Sequence, residues 1–315
     1  MSAEQFSSHE IKRLREHTAA KRIVMCGCAE VGANLIQSLL ETGVKFSHFV
    51  ILTPEQGRKY SVSGYADLRP LADRYKIPVY VPKSYALTDE ADVAFFREQR
   101  FDLLIQGGWQ RLFPAAVLET LSIGAVGVHG SADYLPKGRG RSPLNWSLIE
   151  GHTRFLLHLF LIRPGVDDGD VFAVEDFDIT PFDDIETLYL KVSISARRML
   201  LRHLLDLLEN RIVFRPQIGE PTYYAKRTPE DGRIDWERMD LYQIYNFVRA
   251  QTRPYPGAFG SLDGRMLRIW KARPFDTRLD YPEAPYGAVV ERFGQRLLVN
   301  CRGGLLLVED YEAIS

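Results

Sequence analysis

Residues 22–52 read RIVMCGCAEVGANLIQSLLETGVKFSHFVIL and contain two short apolar runs on either side of an amphipathic segment. The runs at residues 23–25 and 49–52 have the length and composition of buried parallel strands. The apolar residues between them recur at helical spacing, which predicts a helix with one buried face. They are Val31, Leu35, Ile36, Leu39 and Leu40. This β-α-β order predicts a parallel sheet with right-handed crossovers.

The alternation of strand and helix patterns continues to about residue 210. Three more apolar runs, at residues 79–81, 103–105 and 125–128, bring the predicted strands to five. Strands predicted at 155–162 and 171–179 then precede a long helix from about Asp184 to Asn210. We therefore predict an α/β fold with a Rossmann-like, doubly wound and mainly parallel sheet.

The composition changes after this helix. Residues 215–233, RPQIGEPTYYAKRTPEDGR, are rich in Pro, Gly and charge, which is typical of a linker. Beyond them, one helix around 241–250 is followed by strand patterns separated by glycine turns, which predicts a small, β-rich and OB-like domain. The predicted organisation is an N-terminal extension at 1–21, a catalytic domain at 22–214, the linker, and a C-terminal domain at 234–315.

Composition and charge narrow the functional class. The 315 residues include 40 Lys and Arg against 41 Asp and Glu, and a net charge of -1 argues against a dedicated nucleic-acid binder. Three cysteines cannot all pair, so we expect no disulfides and a reducing, cytoplasmic location. The first twenty residues hold no apolar block, and no stretch approaches the ~18 apolar residues of a membrane span. We expect no membrane association.

The first strand-to-helix turn, CGCAEVG at residues 26–32, lies where dinucleotide-binding folds place glycines. Cys28 and Glu30 interrupt that pattern, and a carboxylate would meet phosphate there. We favour a structural interpretation, in which Gly27 and Gly32 allow a tight turn and close helix packing.

Two other segments carry residues suited to chemistry. Residues 127–146, GVHGSADYLPKGRGRSPLNW, follow the fifth strand, at the sheet edge where open α/β folds bind ligands. His129 lies there in a glycine-rich loop with three cations, which exposes backbone near charge. They are Lys137, Arg139 and Arg141. Residues 166–170, VDDGD, place three carboxylates before a strand and fit a catalytic carboxylate, a solvated turn or a metal loop.

Together these motifs resemble the 10-formyltetrahydrofolate-dependent formyltransferases, which include methionyl-tRNA, glycinamide-ribonucleotide and amino-sugar formyltransferases. The family's His-x-Ser segment, with its following Pro, Arg-Gly and Pro-x-x-Trp, is similar to residues 129–146 with one extra loop residue. The matching residues are His129, Ser131, Pro136, Arg139, Gly140, Pro143 and Trp146. The family's Asp-x-Gly-Asp loop is similar to Asp167, Gly169 and Asp170.

The resemblance implies an enzyme that uses 10-formyltetrahydrofolate as co-substrate, with no metal and with His129 and Asp167 as catalytic residues. It also implies a folate site. The implied folate-binding residues are Trp109, the backbone of Arg111, Leu112 and Phe113, and Asp167 and Asp170. The family's catalytic Asn, two residues before the His, is Gly127 in this chain. We hypothesise that His158 or Asn145 supplies the missing oxyanion donor.

The C-terminal part resembles the domain shared by tRNA and sugar formyltransferases, and its details look most like the formyltransferase part of the bifunctional aminoarabinose enzyme. With the near-neutral charge, this implies a small amine acceptor, a nucleotide-linked amino sugar of surface-glycan biosynthesis. The predicted acceptor-binding residues are Ser131, Lys137, Arg139, Arg141 and Tyr255. The three cations among them could pair with a diphosphate or only brace the loop. The alternatives are a methionyl-tRNA formyltransferase and a non-catalytic folate- or nucleotide-sugar-binding homologue. A homodimer is left open.

Overall fold

A computed structural model of the chain describes residues 6–314. Its α-helices are α1 (Ser8–Ala19), α2 (Glu30–Thr42), α3 (Pro54–Lys59), α4 (Arg69–Tyr75), α5 (Glu90–Gln99), α6 (Ala115–Leu118), α7 (Pro143–Ile149), α8 (Ile185–Leu208) and α9 (Leu241–Gln251). Its strands are β1 (Ile23–Gly27), β2 (His48–Ile51), β3 (Val79–Tyr80), β4 (Leu103–Gly107), β5 (Gly124–Ser131), β6 (Arg139–Gly140), β7 (Arg154–Leu161), β8 (Val171–Asp178), β9 (Tyr223–Tyr224), β10 (Ala258–Leu262), β11 (Arg265–Asp276), β12 (Val289–Phe293), β13 (Arg296–Cys301) and β14 (Gly304–Ala313).

The larger sheet has seven strands in the order β3-β2-β1-β4-β5-β7-β8. The pairs β3/β2, β2/β1, β1/β4 and β4/β5 are parallel. This confirms the predicted α/β fold with a mainly parallel sheet. The expectation that the run at 79–81 is buried is wrong, because β3 lies at the edge of the sheet, where Val79 and Val81 are 39% and 38% exposed.

The contacts of the chain define two compact units. Unit 1 contains the residues up to His129, together with Leu157–Glu175 and Lys191–Pro221; unit 2 contains Gly130–Leu156, Asp176–Leu190 and the residues from Thr222. These units are discontinuous in sequence, and the predicted domain limits stay a prediction. In the described part of the chain, no helix combines the length and apolar character needed to cross a membrane.

The glycine-containing turn between β1 and α2 lets these elements pack closely on β4 in unit 1. A Cβ atom added at Gly32 would lie 1.8 Å from the carbonyl oxygen of Gly107, and one added at Gly27 would lie 2.4 Å from the same oxygen. The first turn of α2 therefore touches the backbone of β4 directly. This confirms the structural interpretation of the turn.

The predicted N-terminal extension contains a helix that packs on unit 1. Ser7 and Glu10 form a capping box at the start of α1, and Leu14 and Thr18 are buried. The Thr18 hydroxyl accepts a hydrogen bond from the backbone N–H of Lys45 at 3.0 Å. Helix α1 thus belongs to the packed structure.

The segment interpreted as a linker, 215–233, is tied down by backbone hydrogen bonds. In unit 1, Arg215 and Val171 exchange two such bonds, at 2.8 and 2.9 Å. In unit 2, β9 pairs in parallel with β6. The Pro- and Gly-rich composition indicates irregular backbone, which here is ordered by its neighbours.

Unit 2 contains an antiparallel sheet in the order β10-β11-β14-β13-β12. Helix α9 begins at a capping box made by Asp240 and Gln243, and its residues Ile244 and Val248 enter the apolar core with residues of this sheet. This confirms the predicted helix and the β-rich C-terminal part.

Substituting Gly32 by Ala tests the close approach of α2 to β4. The added methyl group meets backbone, which cannot rotate away, so we expect the free energy of unfolding to fall by about 1–3 kcal/mol. Chemical denaturation followed by circular dichroism measures this change. The control, Asn34→Ala, lies on the exposed side of the same helix and should leave stability unchanged or slightly higher. Equal stability of G32A and N34A would contradict the packing argument.

Candidate active site

The candidate site in unit 1 begins with His129, near the end of β5. Its side chain is 9% exposed, and its Nδ1 lies 3.4 Å from Oδ2 of Asp167. A carboxylate at Nδ1 favours the tautomer with the proton on that nitrogen, which leaves Nε2 as the second functional atom of the ring. The structure therefore brings together the two residues that the sequence motifs single out.

Asp167 lies in the tight connection between β7 and β8. Its φ of 48° places it in the left-handed region, which is uncommon for a residue other than glycine. A Cβ atom added at Gly169 would lie 1.5 Å from the carbonyl oxygen of Leu161, so a glycine is needed there. Asp170, predicted to bind folate, accepts a hydrogen bond from Arg163 Nη2 at 2.8 Å. The loop is thus held in one compact conformation.

Sequence reasoning missed Gln217, which it included in the linker. The Gln217 side-chain nitrogen donates to the carbonyl oxygens of Asp167 and Gly169, at 2.8 and 2.7 Å. A glutamine in a segment with two prolines and a glycine, at residues 216–221, carries no signal that identifies this contact in advance.

His158, on β7, is 1% exposed, and its Nδ1 lies 3.3 Å from the carbonyl oxygen of His129. Only a protonated Nδ1 can donate to a carbonyl oxygen, so in the neutral ring Nε2 carries a lone pair and accepts hydrogen bonds. His158 can therefore donate to an oxyanion through Nε2 only as the doubly protonated cation. That His158 replaces the family Asn as oxyanion donor stays a hypothesis, and it requires the His158 ring to be protonated on both nitrogens.

The position of the absent Asn is closed in this structure. A Cβ atom at Gly127 would lie 2.9 Å from two ring atoms of Phe160 and 3.0 Å from Cγ1 of Ile162. These contacts are shorter than ordinary van der Waals distances, so a larger side chain at this point requires its neighbours to move. The space beside Gly127 is thus filled by Phe160 and Ile162.

The predicted folate-binding loop follows β4 in unit 1. Trp109 and Phe113 are 2% and 1% exposed, and their rings stack at 6.3 Å, whereas Leu112 between them is 50% exposed. The ring of Tyr85 meets Trp109 edge-on at 4.9 Å, and the guanidinium of Arg111 lies 4.7 Å from the centre of the Tyr85 ring. The buried aromatic side chains anchor the loop, so its contribution to a ligand must come from the backbone and from the exposed residues.

The backbone of this loop is available for binding. Among the hydrogen bonds of residues 6–314, none engages a backbone N–H or C=O group of Arg111, Leu112 or Phe113. Adjacent donors and acceptors on an ordered loop suit a flat heterocycle that carries both kinds of group on one edge. The residues predicted to bind the pterin therefore fit such a group.

A buried thiol supports the same loop. Cys28 Sγ lies 3.2 Å from the hydroxyl of Tyr85, which accepts a hydrogen bond from the backbone N–H of Gln110 at 3.1 Å. Burial raises the pKa of both the Cys28 thiol and the Tyr85 hydroxyl, so both groups stay neutral at physiological pH. All three cysteines are free and buried.

Several of the predicted acceptor-binding residues lie together in unit 2. Ser131 is 1% exposed and donates to the carbonyl oxygen of Lys137 at 2.6 Å, which closes the loop before β6. Arg139 Nη1 donates to the hydroxyl of Tyr223 at 3.4 Å. The Ser131 hydroxyl therefore stabilises the conformation of the loop that carries Lys137, Arg139 and Arg141.

Tyr255, also in unit 2, forms a hydroxyl-to-hydroxyl hydrogen bond with Tyr189. Burial raises the pKa of Tyr255, and this rise is opposed by its contacts with Tyr189, Arg141 and Asn145. Asn145 donates to the carbonyl oxygen of Ala250 at 2.6 Å, while its Oδ1 is buried without a hydrogen-bond partner. One donor of Asn145 is thus already engaged, and its proposed part in oxyanion binding stays a hypothesis.

Within residues 6–314, no group of three or more His, Cys, Asp or Glu side chains is placed to hold a metal ion. The acidic loop at 166–170 is included in this statement. Its carboxylates point to different surroundings, since Asp167 faces His129 and Asp170 faces Arg163.

Comparison with protein families settles the class of the chain. Residues 21–204 match the family described as "Formyl transferase", and residues 226–313 match "Formyl transferase, C-terminal domain". The chain belongs to the formyltransferase family. This formyltransferase is accordingly a one-carbon transferase enzyme.

Individual relatives agree with this membership. The formyltransferase is 30% identical over 299 residues to the methionyl-tRNA formyltransferase of Geotalea uraniireducens (strain Rf4), which covers 93% of this chain and 91% of that protein. The N-formyltransferase from Helicobacter canadensis, solved with folinic acid and dTDP-3-aminofucose, has a TM-score of 0.67 and 14% identity, covering 93% of this chain and 100% of that one.

Another solved structure of similar fold belongs to a larger protein. HypX from Aquifex aeolicus, solved in complex with tetrahydrofolic acid, has a TM-score of 0.64 and 20% identity, with 94% of this chain covered. This chain spans only 44% of the length of HypX. At these identities the two solved structures show a shared fold.

Replacing Gly127 by Ala tests whether β5 is closed at this position. We expect the free energy of unfolding to fall by about 1–3 kcal/mol, because the new methyl group overlaps the Phe160 ring. Phe160→Leu removes the ring atoms in question, so the double variant G127A/F160L should be more stable than the sum of the two single effects predicts. Urea unfolding of the four proteins measures this coupling. Strict additivity would show that Phe160 does not fill the space.

Proposed function

We propose that this formyltransferase transfers the formyl group of 10-formyltetrahydrofolate to the amino group of a nucleotide-linked amino sugar. The observation that carries the proposal is the His129–Asp167 pair, with 3.4 Å between Nδ1 and Oδ2. An imidazole oriented by a carboxylate is the usual arrangement for moving a proton to or from a reacting amine.

In the proposed reaction, the acceptor amine attacks the formyl carbon and forms a new C–N bond. His129 Nε2 takes the proton that the amine loses, while Asp167 stabilises the resulting imidazolium. The bond between the formyl carbon and N10 of the folate then breaks, and His129 Nε2 returns its proton to N10 as tetrahydrofolate leaves. The products are the N-formyl acceptor and tetrahydrofolate, and no metal takes part in these steps.

The tetrahedral intermediate carries an oxyanion, and loss of one donor to such a group costs about 3 kcal/mol of transition-state stabilisation. Because Gly127 offers no side chain, the protonated His129 is the first group that we assign to this oxyanion. A doubly protonated His158 is the second candidate, since its Nδ1 is occupied by the carbonyl oxygen of His129.

The folate donor is supported by the loop after β4. The backbone groups of Arg111, Leu112 and Phe113 suit the pterin edge, and Leu112 is half exposed between two buried anchors. HypX and the Helicobacter canadensis enzyme, which share the fold, were solved with tetrahydrofolic acid and folinic acid.

Charge pairing in the C-terminal part favours a small acceptor over tRNA. Residues 226–313 contain 14 Lys and Arg against 13 Asp and Glu. On the antiparallel sheet, Lys271 and Arg273 of β11 lie 3.7 and 3.0 Å from Glu309 of β14, and Arg268 lies 2.9 Å from Glu312. Carboxylates therefore lie beside these three cations of the sheet. A protein that grips tRNA needs an uncompensated basic surface.

The loop cations of unit 2 are the residues that we assign to the acceptor diphosphate. Lys137, Arg139 and Arg141 stand in one short segment that is braced by Ser131 and by the β6/β9 pairing. Arginine side chains bind phosphate oxygens in a bidentate manner, which suits a nucleoside diphosphate. Tyr255, beside Arg141 and Asn145, completes the set that we propose for acceptor binding.

The second candidate is methionyl-tRNA formylation. It is favoured by the name of the Geotalea relative, which is 30% identical over 93% of this chain. The acceptor is identified by incubating the protein with 10-formyltetrahydrofolate and either a panel of nucleotide-linked amino sugars or methionyl-tRNA. Mass spectrometry then detects the added formyl group.

We expect formylation of at least one amino sugar, with a rate that changes little between about 50 and 200 mM salt, since few phosphates are bound. Formylation of methionyl-tRNA with a steep loss at high salt would overturn the sugar assignment. Binding of folate without transfer to any amine would show a non-catalytic protein, as the loss of the family Asn at Gly127 allows.

Asp167→Asn tests the catalytic pair. The amide cannot stabilise a protonated His129, so we expect kcat to fall by about 10²–10⁴-fold, far more than the affinity for tetrahydrofolate falls. Steady-state kinetics and calorimetric titration give the two quantities. Asp176→Asn, an exposed carboxylate on β8, is the control and should behave as the native protein. Equal losses of folate affinity and of turnover in D167N would indicate a structural role for Asp167.

A further inference from the structure

The contact between Gln217 and the Asp167 loop is not used by the reaction steps above. Gln217 follows α8 in unit 1, and its side-chain amide contacts two carbonyl oxygens of the loop, those of Asp167 at 2.8 Å and Gly169 at 2.7 Å. Both partners are acceptors, so the NH₂ group must face them, and its two hydrogens are directed at one oxygen each.

The backbone on either side brings Gln217 to this point. Arg215 exchanges two hydrogen bonds with Val171, the residue that follows Asp170. Pro216 then restricts the chain, because its ring fixes φ. Ile218 is 85% exposed, so the neighbouring side chain faces solvent while that of Gln217 lies on the loop. The antiparallel contact at Arg215 thus aligns Gln217 with the carbonyl groups of the acidic loop at 166–170.

The carbonyl groups of Asp167 and Gly169, which Gln217 contacts, belong to the short stretch of backbone that determines where the Asp167 side chain points. Asp167 has a φ of 48°, a conformation that residues with a Cβ atom adopt only when the surroundings hold them there. The amide of Gln217 fixes the peptide groups after Asp167 and after Gly169. Such a clamp prevents the loop from relaxing to an ordinary backbone conformation, which would turn the carboxylate away from Nδ1 of His129.

We propose that Gln217 is a positioning residue for catalysis, which acts through Asp167 to hold its carboxylate against His129. The inference rests on the proposed role of the His129–Asp167 pair. Gln217 touches neither reactant in this scheme, and its effect on the reaction comes from the orientation that it gives to Asp167.

The test uses variants of the whole protein. Gln217→Met keeps the length of the side chain and removes both donors, whereas Gln217→Lys restores a donor with several hydrogens. Ile218→Ala is the matched control on the adjacent, exposed position. Turnover, the Michaelis constant for the formyl donor and the melting temperature are measured for each variant alone and, for Q217M, also in the D167N background.

We expect kcat of Q217M to fall by about 10- to 100-fold, as displacement of a catalytic group by about 1 Å does, with little change in the Michaelis constant. Q217K should recover part of this loss, and I218A should equal the native protein. In the D167N background, Q217M should cost less than about twofold, because the residue through which it acts has already been lost.

Three outcomes overturn the inference. Q217M with native kcat, while D167N is inactive, removes the role of Gln217 and leaves the proposed function intact. A full, additive loss in the D167N background, or losses that follow the melting temperature alone, shows a general structural role. A native protein without turnover on any amine removes the proposed function and the inference together.

Discussion

The contact on which the rest of this account depends is the one between the imidazole of His129 and the carboxylate of Asp167. It joins the end of a parallel strand to a tight turn between two later strands, so it forms only when β5, β7 and β8 are in place. In the structure that makes this contact, the backbone of Asp167 is strained. Strain of this kind persists where the surroundings hold it, and it occurs most often at sites of function.

The parallel sheet explains why this contact can be rigid. Close packing of α2 on β4, with no room for a Cβ atom at Gly32, leaves the strands little freedom to shift. The hydrogen bonds of Arg215 with Val171 and of Gln217 with the acidic turn extend this order into a segment without regular secondary structure. The candidate site is therefore supported by backbone contacts and by the side-chain amide of Gln217.

Much of the fold could be predicted from the sequence. The apolar runs identified strands because burial on both faces demands continuous apolar residues, and Gly32 was interpreted correctly because Cys28 and Glu30 do not suit a phosphate. The run at 79–81 was misjudged, since composition alone does not distinguish a central strand from β3 at the edge. Helix α1 was missed because its two buried residues, Leu14 and Thr18, give a weak apolar pattern.

For the site, the motifs identified His129 and Asp167, and the structure brings them together. Gln217 lay outside any motif, because its role depends on a contact across 50 residues of chain. The closure at Gly127 depends on Phe160, which no pattern connects to it. Residues that act through long-range contacts need coordinates, whereas residues that define a strand end or a turn can be read from the chain.

The most direct test of the central claim is a single-turnover measurement of formyl transfer in H129A, D167N and the double variant. If the two residues act as one unit, the double variant is no slower than H129A, because the carboxylate has no function without its imidazole. If the losses of the two single variants multiply in the double variant, His129 and Asp167 act independently, and the catalytic pair described here does not exist.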